Sequence, residues 1–97
     1  MTEQSLLKAV SIVTGIPMTR IIKQKGQRAT KRNESDARAL AVLAGRSIWP
    51  KVRTSHLGEF LGLSQSGSSL ALARANSRFK EDKAFRALAK LLFAEIQ

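Results

Sequence analysis

Thr54-Ser-His-Leu-Gly-Glu-Phe-Leu-Gly-Leu-Ser-Gln-Ser-Gly-Ser-Ser-Leu-Ala-Leu-Ala-Arg74 reads as a helix, a glycine-containing turn, and a second helix that opens on small polar residues. A helix-turn-helix needs those ingredients: one helix to brace the DNA backbone and another whose amino end approaches base edges. Leu57, Leu61 and Leu70 are expected as apolar anchors, with Gly58 and Ala73 small enough for the two helices to cross closely. Gly62 suits the exit from the first helix, because glycine tolerates the left-handed conformation that ends many helices. With Leu70 and Ala73 inward, helical spacing turns Leu72 outward beside Ser68 and Ala75. There it would meet a thymine methyl or a partner protein; a one-residue slip in register is the other explanation. A flexible Gly/Ser linker is the bland alternative, but the polar run is short and apolar helical spacing resumes on both sides.

The surrounding charge points the same way. Seventeen Lys and Arg against seven Asp and Glu leave a formal charge of +10 on 97 residues. Such an excess favours polyanions: nucleic acid first, an acidic membrane surface second, an acidic protein third. Placement sharpens this. From Met18 to Asn33 the chain carries Arg20, Lys23, Lys25, Arg28, Lys31 and Arg32 and no acid. A second acid-free span, Ala37 to Leu57, carries Arg38, Arg46, Lys51 and Arg53. A solvated basic face that confers only solubility is the alternative.

Beyond this stretch, the periodicity predicts one all-α domain over 1–97, with five or six helices. Leu6, Leu7, Val10 and Val13 recur at helical spacing, and Gly15 ends that helix. Pro17 suits the first turn of a short second helix that buries Ile21 and Ile22 and shows Arg20 and Lys23 to solvent. Lys25 to Arg32 lacks apolar periodicity and is expected as an exposed basic loop. Asn33 is the expected N-cap of an alanine-rich helix through Ala37, Leu40, Ala41, Leu43 and Ala44, which stops at Gly45 and packs centrally. Trp49-Pro50 breaks the next connection, and Trp49 is expected to cover the core rather than stack on a base. A last helix is expected from Glu81 to about Ile96, with Phe85, Leu88 and Leu92 on one face.

Several chemistries have no residues to carry them. The chain has one histidine, no cysteine and no tyrosine, and no Gly-x-x-x-x-Gly-Lys-Ser/Thr phosphate loop. His56 has no metal or triad partner near it in sequence and is expected at the surface. The acids are scattered. The expectation is therefore a non-enzyme without cofactor, metal or small-molecule substrate. No apolar run reaches membrane-spanning length and the amino end lacks a basic leader, so a cytoplasmic, nucleoid-associated location is expected.

From Leu6 to Ile96 the chain resembles the carboxy-terminal DNA-binding domain of the bacterial replication initiator DnaA, in the Trp-repressor fold group. The family's opening helix, short helix with a Leu-Leu-like pair (here Ile21-Ile22), basic loop and alanine-rich helix occur in that order. Its signature Ile-Gly-x-x-Phe-Gly, Gly-Arg-Asp-His-Thr-Thr-Val, x-x-Ala is matched at Leu57, Gly58, Leu61, Gly62, Leu70 and Ala73. Ser68 and Ser69 fall on the Thr-Thr pair. Gly67 stands where the family has His, Ser64-Gln65-Ser66 replaces the Arg-Asp pair with one residue added, and the segment around Trp49-Pro50 is longer. The resemblance implies a related fold and duplex binding, without recognition of the initiator's own box. It also implies that the basic loop tracks the minor groove, with Arg28 or Arg32 inserting and Lys25 and Lys31 on phosphates.

The residues then give a concrete expectation of sequence-preferring binding to double-stranded DNA. Gln65, Ser66, Ser68 and Ser69 open the second motif helix, where Gln bonds adenine and Ser is less selective. Thr54 and Ser55 would fix the register on a phosphate, Lys51 and Arg53 would neutralise the backbone, and Arg74 would extend the contact. If Lys25, Arg28, Lys31, Arg32, Lys51 and Arg53 all engage phosphates, log affinity falls against log salt with a slope of about −5. Part of an initiator, the DnaA-like tail of a mobile-element transposase, a ligand-sensing Trp-repressor-like dimer and a protein-interaction adaptor all stay open. RNA binding is disfavoured by the few aromatic side chains. Oligomeric state is not legible.

Overall fold

Thr2 begins the first helix, α1 (Glu3–Thr14), by accepting a hydrogen bond from the Ser5 amide at 3.1 Å. Gly15 ends it with φ 75°, its N–H donating to the Ser11 carbonyl at 2.8 Å. Pro17 then leads into the short α2 (Met18–Ile21), as its fixed φ favours. The remaining helices are α3 (Arg32–Ile48), α4 (Thr54–Glu59), α5 (Gln65–Glu81) and α6 (Lys83–Ile96). The computed structural model describes residues 1–23 and 32–96, and among them there is no strand. The fold class is all-α, with six helices among the described residues.

Alanine decides the layout. Ala37, Ala39, Ala41 and Ala44 of α3 are buried together with Leu40 and Val42, so the middle of this helix is buried nearly all round. A helix of that kind belongs at the centre, and α3 packs against each of the other five. Leu6 and Val10 of α1, Ile21 of α2, Leu61 after α4, Ala75 of α5, and Phe85 and Leu92 of α6 close around it. Trp49 packs on this core from the side, partly buried, as expected.

Three boundaries differ from the sequence reading, each for a local reason. Asn33 is not an N-cap, because α3 already begins at Arg32. Nor does α3 stop at Gly45. The helix runs on to Ile48, and Gly45 instead lets Leu57 of α4 approach, a Cβ there lying 3.1 Å from Leu57 Cδ2. Finally, α5 continues to Glu81, and Asp82 caps α6 by accepting from the Ala84 and Phe85 amides at 2.9 and 3.2 Å. Arg46 holds the Trp49–Arg53 connection, donating to the Pro50 and Val52 carbonyls at 3.2 and 2.7 Å.

Candidate nucleic-acid interface

The turn between α4 and α5 is built around Gly62. With φ 77° it donates to the Glu59 carbonyl at 3.0 Å, while Leu63 N–H reaches back to the Gly58 carbonyl at 3.0 Å. This pair of bonds is a Schellman ending, which reverses the chain tightly after a helix. Ser64 then caps α5, its Oγ accepting from the Gly67 amide at 3.1 Å. Gly58 is buried where α4 meets α5, with Ser68 Cβ only 2.6 Å from where a Cβ of residue 58 would stand. Two packed helices joined by a glycine turn, as expected from residues 54–74, are present.

Its register is not the one expected. Ser68 is fully buried and donates its hydroxyl hydrogen to the Ser64 carbonyl at 2.8 Å, so it touches no base edge. Leu70 is 70% exposed, and Ala73 is exposed, so neither anchors the core. Leu72, expected outward, packs partly buried against the core with Ala71. The inward stripe is Ser68, Ala71, Leu72, Ala75 and Phe79, and the small residue at the crossing is Ser68 rather than Ala73. The signal was in the sequence: carried two turns further, the Leu70–Ala73 stripe meets Ser77 and Lys80, whereas the Ala71–Ala75 stripe meets Phe79.

The outward face of α5 therefore carries Ser66, Ser69, Leu70, Ala73, Arg74, Ser77 and Lys80, all exposed, with Gln65 at its head. From residue 60 to residue 80 there is no carboxylate. A helix with small side chains and exposed cations along its solvent face, and no acid before Glu81 at its end, suits the approach to a polyanion.

Beside this helix lies the root of the basic segment. The Lys23 amide donates to the Leu61 carbonyl at 2.8 Å, and Gly62 packs on the Lys23 backbone. Two buried charges hold the neighbouring turn. Glu34, 4% exposed, accepts from Arg20 Nε at 2.9 Å and pairs with its Nη2 at 2.8 Å. Arg38, 3% exposed, donates to the Ile21 and Arg20 carbonyls at 2.6 and 3.2 Å, satisfying the end of α2. Burial pushes the Arg38 guanidinium down from its usual range, and the Glu34 charge opposes that. The sequence reading turned Arg20 and Lys23 to solvent, where both are exposed, but counted Arg38 only as part of the basic excess and did not single out Glu34. Lys25, Arg28 and Lys31 lie outside the described residues.

A cleft of about 470 Å³ runs between α3 and α5, and Lys23, Ser35, Leu70 and Arg74 are among its lining residues. It continues, through the shared Ser35 and Arg74, into a second cleft of about 440 Å³ that Arg32 and Arg78 also line. Arg32 and Arg74, separate in sequence, are thus brought to one basic wall. Lys23 and Ser35 were not expected in that wall. Arg78 is held internally, bonding Asp36 at 2.8 Å and Asp82 at 2.6 Å and tying α3, α5 and the head of α6 together. The Arg78 hydrogen bond, helped by the α6 amides, holds the Asp82 carboxyl below its usual range.

Lys51, Arg53, Thr54 and Ser55 lie apart from these clefts, at the start of α4, with Lys51 and Arg53 exposed and Thr54 and Ser55 partly exposed. His56 is exposed too, 3.5 Å from Glu3 and 3.8 Å from Glu59. Among the described residues no His, Cys, Asp or Glu cluster is arranged to hold a metal ion, and no helix is long and apolar enough to cross a membrane. No protein-family model, no curated protein and no solved structure matches the chain.

Proposed function

We propose that this chain binds double-stranded DNA through α4 and α5, with α5 in the major groove. One observation carries the reading: a Gly62-turned helix pair whose second helix shows solvent small polar side chains, exposed cations and no carboxylate between residues 60 and 80. Gln65, Ser66 and Ser69 at the head of α5 reach base edges, Gln65 preferring adenine. The amino end of α5 also favours phosphate, through its unpaired N–H groups and dipole. Thr54 and Ser55 contact the backbone at the head of α4, flanked by Lys51 and Arg53. Arg32 and Arg74 neutralise a phosphate run beside α5, and Lys25, Arg28 and Lys31 extend that contact. Non-catalytic duplex binding of this kind, by a DnaA-like domain of replication-initiator type acting at the nucleoid, is the role the resemblance supports.

A selection on random duplex DNA at physiological salt, with excess non-specific competitor, tests it. An enriched motif supports a sequence reader. Retention only at low salt, without enrichment, leaves a backbone anchor, and no retention at all refutes duplex binding.

A further inference from the structure

Leu70 is the one large apolar side chain on the outward face of α5. Ser66, Leu70, Ala73 and Ser77 stand at i, i+4, i+7 and i+11, which places them on a single ridge of the helix. On that ridge every other side chain is Ser or Ala, so Leu70 stands proud of its neighbours. At 70% exposure it lies outside the core stripe of α5, which runs through Ala71 and Ala75, and it borders the α3–α5 cleft. Arg74 follows one turn later, and the nearest carboxylates along the chain are Glu59 and Glu81.

A lone leucine amid serines and cations is a poor seat for a protein partner, whose contacts centre on clustered apolar anchors. It is a good probe for a polyanion that carries isolated methyl groups. The major groove offers one such group, the C5-methyl of thymine, and apolar side chains distinguish thymine by meeting it. We propose that Leu70 is a specificity-determining residue that reads a thymine methyl in the major groove. The inference rests on the duplex-binding reading above and adds a base preference at the centre of the α5 contact. Serines on either side bond base edges with little selectivity, so the methyl contact supplies discrimination that they lack.

Replacing thymine by deoxyuridine removes that methyl and leaves base pairing intact. In a selected duplex site, each thymidine is changed singly to deoxyuridine, and binding is measured for the unaltered chain and for Leu70→Ala. Leu70 is exposed and alanine is the better helix former, so the variant retains the fold. Burial of one methyl predicts about fourfold weaker binding at one position for the unaltered chain. Leu70→Ala should bind both duplexes equally at that position. Insensitivity of the unaltered chain to every deoxyuridine, or unchanged sensitivity in Leu70→Ala, overturns the proposal while leaving duplex binding standing. A concentration-dependent dimer in sedimentation that Leu70→Ala abolishes, with no deoxyuridine effect, would assign the side chain to a second copy instead. Failure of the unaltered chain to bind any duplex removes both the inference and the reading beneath it.

Discussion

Gly58 and Ser68 meet where α4 crosses α5, and no space remains between them for a methyl group. A Gly58→Ala change forces the helices apart at the point that sets their mutual angle. Overpacking of this kind costs about 1–3 kcal/mol, and urea unfolding should show it as a lower midpoint. Ser68→Gly in the same chain should restore part of the loss, which an effect confined to helix propensity would not do. The same pair explains how far single residues were legible. Gly58 and Gly62 were read for their roles, because close crossings and left-handed turns restrict residue choice sharply. Ser68 and Leu70 were exchanged in role, because a seryl hydroxyl looks like a surface group. Inside a helix it buries readily by bonding the carbonyl four residues back, as it does to Ser64.

Helix ends show a different limit. Gly15 and Pro17 punctuate α1 and α2 as their backbone chemistry requires, while Gly45 looks like a stop and is instead the seat for Leu57. Sequence alone does not separate a glycine that ends a helix from one that admits a neighbour. The junction of α5 and α6 gives a pH prediction. Asp82 caps α6 and bonds Arg78, so its carboxyl is held below the range it has in the unfolded chain. A depressed folded-state value means the stabilisation is complete above the unfolded carboxyl range and is lost as pH falls through the folded value. Asp82→Asn keeps a capping side chain but removes the charge. Thermal unfolding from neutral to acid pH should therefore lose stability less steeply in Asp82→Asn than in the unaltered chain. Equal slopes would show that the Arg78 contact does not hold this proton off.

At the scale of the molecule, charge and helix pattern were legible early, since +10 on 97 residues and an alanine-rich central helix are properties of composition and period. The assembly of Arg32 with Arg74 was not, because it depends on how the start of α3 lies along α5. Duplex affinity should fall with salt at a log–log slope of about −5 if six cations displace counterions. A Lys51→Ala, Arg53→Ala variant should bring it to about −3.5, read by titration across salt concentrations. A slope near −1 in the unaltered chain would remove the basic segment from the interface.

If the outward face of α5 enters DNA, carboxylates placed on it must weaken binding more than carboxylates placed elsewhere. Ser66→Glu with Ala73→Glu places two carboxylates on that face, and Ile12→Glu with Leu91→Glu places two on exposed positions of α1 and α6 outside the proposed contact. Anisotropy titration of a labelled duplex with both double variants and the unaltered chain separates local from overall charge. Two like charges facing phosphates should weaken binding by at least about tenfold, whereas the Ile12/Leu91 pair, outside the proposed contact and screened by salt, should change it by less than about threefold. Equal losses in the two double variants, or none in the α5 pair, would contradict a DNA-facing α5.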